Sequence, residues 1–153
     1  MDILKRAKDI LVEHDPQEKD NLLEQLSDVL EYHHGLNEAD IIEGVRLLLV
    51  AALQEADKDM KQTFLRAIEN AVVHHNIGDC IDWDALVASL SSLEKWDLEY
   101  ALNVLGLSGQ ARYLPVINEY AQHADPEISE WAQEAIREIE YRVAHAAPAQ
   151  KVG

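Results

Sequence analysis

The pairs Ala67-Ile68, Ala101-Leu102 and Ala135-Ile136 recur at intervals of 34 residues, and His33-His34 precedes His74-His75 by 41. A supersecondary unit returning every 34 to 42 residues or so cannot bury its apolar face alone and must stack on its neighbours. Between these marks the apolar residues return every three to four positions, and no stretch alternates long enough to read as a strand. The chain is therefore expected to be all-α.

Helix signals divide it further. Asp15-Pro16 supplies an N-cap followed by proline at the first helical position, and Leu22, Leu23, Leu26, Val29 and Leu30 form one apolar face. Asn37 caps the next helix, through "EADIIEGVRLLLVAALQEA", and Asp57 to Asp59 open a third that carries Phe64, Ala67, Ile68 and Ala71. Gly35 and Asn76 follow the histidine pairs, so "HHG" and "HHN" read as the same left-handed closure, with histidines where the helix dipole favours them. The expected units are 15–56, 57–92 and 93–124, with a closing half-unit at 125–144, a covering helix at 2–14 and a flexible tail at 145–153. Together they predict one domain over 1–144, a right-handed α-solenoid of stacked antiparallel helix pairs with about eight helices.

Composition limits the partners. Of 153 residues 48% are hydrophobic, enough for a sizeable core. Thirteen Lys and Arg against 29 Asp and Glu give a formal charge of -16, which opposes nucleic-acid phosphate and anionic membrane. A basic protein is the expected partner, with no nucleic acid, no membrane and a monomeric chain. One cysteine forms no internal disulfide, and "MDILKRAKDILVEHD" carries charge where a signal peptide needs an apolar core, so a cytoplasmic location is expected. The longest apolar run, "LLLVAAL", is too short to span a bilayer.

The stretch "ALNVLGLSGQARYLPVINEYAQHADPEISEWAQEAIREIE", Ala101 to Glu140, resembles the HEAT-like repeats typified by phycobilin lyases. Ala101-Leu102, Leu105-Gly106, Leu114-Pro115, Asp125-Pro126-Glu127-Ile128 and Ala135-Ile136 carry the resemblance; Ser129 stands where the family usually has arginine, and Asn118 where it is usually apolar. The resemblance implies a stacked-helix scaffold of a kind that serves many unrelated functions.

Two groups of residues carry side chains suited to chemistry. His33, His34, His74 and His75 with Cys80 carry zinc-ligand side chains but lack the known zinc spacings, so helix-end histidines are expected, with no metal and no cofactor. Asp79 and Asp82 disfavour a reactive Cys80 thiolate. For catalysis there is no glycine-rich phosphate loop, nucleophile elbow or HExxH motif. A glycosylase-like use of Trp83 with Asp82 and Asp84 would need basic contacts to phosphate, which the charge opposes. No catalytic residue is assigned.

The aromatic and acidic residues point to recognition. Trp83 lies between Asp82 and Asp84, and Trp96 stands beside Glu94, Asp97 and Glu99; these acids also suit helix N-termini, and the tryptophans suit gaps between repeats. As a binding surface, the second helices of the pairs would present Asp40, Glu43, Asp84 and Tyr113. Asn118, Glu119, Tyr120 and Gln122 would extend it. Tyrosines among carboxylates suit a partner rich in lysine and arginine. The expected function is a non-enzymatic protein-binding module. In its concrete form the chain is similar, in size and charge, to small bacterial immunity proteins that neutralise a basic toxin such as a nuclease in bacterial competition, including contact-dependent growth inhibition. A HEAT-like enzyme or lyase subunit, or an assembly scaffold, is the alternative.

Overall fold

A computed structural model describes residues 2–146. These form eight α-helices: α1 (Ile3–Val12), α2 (Pro16–Tyr32), α3 (Glu38–Gln54), α4 (Lys58–His74), α5 (Asp84–Ser89), α6 (Lys95–Ser108), α7 (Leu114–Ala121) and α8 (Pro126–Ala144). Among the described residues there is no strand. The expected tail lies outside the described residues from 147 onward.

Five helices start on a carboxylate or amide that accepts from the first turn. Asp2, Asp15, Asn37, Asp57 and Asp125 take the N–H of Lys5, Gln17, Asp40, Met60 and Glu127 at 2.9–3.1 Å. Each bond satisfies a donor the helix itself leaves free, and the acid complements the helix dipole. Helix ends differ from expectation at one point. Gly35 is left-handed at φ 74°, but no non-glycine residue has positive φ among those described, so Asn76 does not repeat the device. His75 ends α4 instead, and its Nε2 lies 2.8 Å from the Leu30 carbonyl in the last turn of α2.

The even-numbered helices make one row, α2 against α4, α4 against α6 and α6 against α8. They run parallel: Asp20 meets Thr63 and Ser27 meets Asn70 at the same sequence offset of 43, while Glu69 meets Asn103 at 34. The recurring alanines hold this row together. Ala67, Ala101 and Ala135 are all buried, on α4, α6 and α8. At Gly106 the last pair comes closest, since a Cβ there would stand 2.9 Å from the Ala135 Cα. On the other side α1 packs on α3, and α3 on α5.

Sequence neighbours pair one helix earlier than the expected unit boundaries. α1 packs on α2, α3 on α4 and α7 on α8, whereas α2 and α3 barely touch. The 55–57 connection, read from sequence as a break between units, is thus the turn of the α3–α4 hairpin. α5 is too short to cover α6; the 3-10 turn Gly78–Cys80 packs there instead. Gly78 allows it, because a Cβ would fall 2.7 Å from the Leu107 carbonyl oxygen.

Candidate functional site

The residues expected to bind a partner divide into two sets. Trp83 is fully buried, at 0% exposure, and Tyr113 is 3% exposed. The indole Nε1 donates to the Gly78 carbonyl at 2.8 Å, and the Trp83 backbone N–H donates to the Tyr113 hydroxyl at 2.8 Å. That hydroxyl donates in turn to Asp84 at 3.0 Å. Burial pushes the Tyr113 hydroxyl pKa up, partly offset by its bond from Trp83. Gln110 completes the knot, donating to the Ile81 carbonyl at 2.8 Å. These two aromatic residues therefore fasten the 78–84 segment to the start of α7 and do not present a binding surface.

The acids around that knot are neutralised internally. Arg112 reaches Asp82 at 3.5 Å and Asp84 at 3.4 Å, and its guanidinium lies 4.7 Å from the Tyr113 ring centre. On α3, Glu43 pairs with Arg46 at 3.3 Å, and Arg46 also donates to the Cys80 carbonyl at 3.3 Å. Asp40 is half-buried. Asn118, Glu119 and Gln122 are exposed on and after α7, whereas Tyr120 packs partly against the core. The α5–α7 surface does hold a shallow groove of about 390 Å³, with Val87 and Val116 on its walls, but Arg112 lines it beside Asp84.

Trp96 stands on the opposite row and is 52% exposed. It packs against Trp131, ring centres 5.8 Å apart, and Trp131 lines one end of an open groove of about 330 Å³ between α4, α6 and α8. Four glutamates line this groove: Glu69 from α4, Glu99 from α6, Glu134 and Glu138 from α8. Its floor is the close approach of Gly106 and Ala135, which leaves no side chain in the way. Spacing on the helices explains the convergence, since Glu99 and Asn103, and Trp131, Glu134 and Glu138, lie three or four residues apart on one face.

The groove's charge is uneven. Glu134 pairs with Arg137 at 2.7 Å and Glu138 approaches Arg142 at 3.6 Å. Glu69 accepts only from the Asn103 amide, at 3.0 Å, and among the described residues no Lys or Arg pairs with Glu69 or Glu99. Burial raises the Glu69 pKa above the ordinary glutamate value, the Asn103 bond opposes the shift, and the charge of Glu99 adds to it. Next to Trp96, Lys95 is held between Asp125 at 2.9 Å and Glu127 at 2.8 Å. Its ammonium lies 5.2 Å from the Trp96 ring centre and 5.9 Å from that of Trp131.

Among the sequence-selected residues, then, only Trp96 belongs to this acidic, aromatic face. Glu99 enters the sequence reading only as a neighbour of Trp96, and Glu69, Trp131, Glu134 and Glu138 are not singled out there. Their signal was present as Trp and Glu at helical spacing in "WDLEYALN" and "WAQEAIRE".

The histidine pairs do not converge. His33, His34 and His74 are exposed, and His75 is turned to the Leu30 carbonyl. No group of three His, Cys, Asp or Glu side chains is arranged to hold a metal ion among the described residues. Cys80 is exposed, and desolvation followed by the charge of Asp79 raises its pKa, away from the reactive thiolate. No helix among the described residues is long and apolar enough to cross a membrane. Comparison with family models, curated proteins and solved structures finds no match to this chain.

Proposed function

We propose that this protein is a non-enzymatic protein-binding module whose partner is a basic protein. One observation carries the reading: the face formed by α4, α6 and α8 holds an open acidic groove with Trp131 at its end and the half-exposed Trp96 packed on Trp131 beside it. Carboxylates left without a cation cost the free protein stability, and an exposed indole is an aromatic anchor of the kind that dominates interfaces. The formal charge of -16 would accelerate encounter with a basic surface. In its concrete form the protein is a cytoplasmic immunity protein that sequesters a basic toxin domain, a role in which it needs no chemistry of its own. The stacked, HEAT-like helices would serve as the scaffold.

Purification of the chain from its native lysate, followed by surface-plasmon kinetics on the recovered partner, tests the reading. The partner is expected to be basic, with an association rate that falls steeply between low and high salt while dissociation changes little, because screening acts beyond about 8 Å at physiological ionic strength. A toxin partner would lose its activity at one equivalent of this protein. An acidic partner, or an association rate indifferent to salt, would contradict it.

A further inference from the structure

Resting on that reading, we infer that the groove between α4, α6 and α8 receives an arginine side chain from a basic segment of the partner, its guanidinium between Glu69 and Glu99 and an apolar neighbour on Trp96. Two independent features lead here. The first is the imbalance of charge along the groove. Glu134 and Glu138 on the α8 wall have arginines of their own helix beside them, Arg137 and Arg142, whereas among the described residues no Lys or Arg pairs with Glu69 or Glu99 on the α4–α6 wall. Glu69 is partly desolvated with the charge of Glu99 near it, and Asn103 supplies one hydrogen bond where a cation would supply several. An arriving positive charge relieves both costs at once.

The second feature is the tryptophan pair. The protein already places one cation there, since the Lys95 ammonium lies over Trp96 and Trp131 while bound to Asp125 and Glu127. This internal contact displays the chemistry the face favours, a cation on indole flanked by carboxylates. The remaining exposed surface of Trp96 is free to take an apolar or aromatic side chain next to the incoming charge.

Arginine fits better than lysine. A planar guanidinium offers five donors in a fixed fork and can bridge two carboxylates, whereas an ammonium acts as a point charge and is more strongly hydrated. The bare floor at Gly106 and Ala135 lets a long, flat side chain lie between the helices. The groove is open along its length, which suits the side chains of an extended or helical segment more than an enclosed small molecule.

The test uses a fluorescently labelled short peptide of alternating arginine and leucine, titrated with the full chain and read by anisotropy. Glu69→Gln with Glu99→Gln should weaken binding about tenfold or more, as expected when a desolvated charge pair loses one partner. Glu18→Gln with Asp28→Asn, which removes equal charge from exposed positions on α2, should change it less than about twofold, the scale of screened surface charge. Trp96→Ala should weaken it severalfold, and replacing arginine by lysine in the peptide should do the same. Thermal melts of each variant confirm that the fold is intact. Equal losses in the two double variants would overturn the groove while leaving a diffuse acidic surface for a basic partner. Failure of the peptide to bind any form would overturn both the groove and the basic-partner reading.

Discussion

The surface of α3, α5 and α7 and the surface of α4, α6 and α8 are built from the same ingredients, tryptophan or tyrosine among carboxylates, and use them in opposite ways. On the first, Trp83 and Tyr113 are buried and bonded to each other, and Asp82, Asp84 and Glu43 face arginines of the same chain. On the second, Trp96 is half-exposed, and among the described residues no Lys or Arg pairs with Glu69 or Glu99. Aromatic and acidic composition therefore does not identify an interface. Unmet hydrogen-bonding and charge capacity does, because folding alone would have favoured pairing it.

The largest effect that distinguishes the two surfaces is on stability. Trp83→Ala should destabilise the fold by about 3–5 kcal/mol, the range for truncating a buried aromatic residue, whereas Trp96→Ala should cost well under half as much. Urea unfolding of the two variants measures this, and similar losses would erase the distinction. Next in size is Tyr113→Phe, which leaves the buried Trp83 N–H without its acceptor while Asp84 keeps Arg112; about 1–3 kcal/mol is expected from stranding a buried group. Gly106→Ala should cost about 1–3 kcal/mol by forcing α6 from α8, and should reduce peptide binding too, since that contact is the groove's floor.

The smallest effect has the opposite sign. Because the folded-state pKa of Glu69 lies above its unfolded value, the folded form binds more protons between the two, and stability is lost as pH rises through the folded pKa. Glu69→Gln should therefore raise the melting temperature slightly at neutral pH and give no gain in acid, below the ordinary glutamate range. It keeps the shape needed to meet Asn103. A gain in stability together with a loss of peptide binding would show that the acid is kept for recognition. A loss of stability at neutral pH would show that Glu69 is structural.

Much of the fold could be read because its signals are local. Asp15-Pro16, Asn37, Asp57 and Asp125-Pro126 start helices within a residue of the expected places, and the alanines at 67, 101 and 135 are buried together on one row. The pairing of α3 with α4 could not be read, because it depends on which apolar faces meet across the array. Trp83 misled for a physical reason. Its neighbours Asp82 and Asp84 look outward in sequence, but the 3-10 turn at Gly78–Cys80 breaks the helical period and turns the indole inward between them. The groove was hidden because its acids come from three helices, with Glu69, Glu99 and Glu134 separated by some thirty residues at each step, and only their spacing within α6 and α8 was visible locally.

The contrast between the surfaces is tested most directly by one spectrum series. The chain has three tryptophans, so a nitrogen-15 correlation spectrum carries three indole N–H signals, assigned by single Trp→Phe variants. On titration with the arginine–leucine peptide the signals of Trp96 and Trp131 should move together and saturate at one affinity, while that of Trp83, bonded to the Gly78 carbonyl in the core, stays in place. Movement of the Trp83 signal with Trp96 and Trp131 unmoved would place recognition on the α3–α5–α7 surface and contradict the account.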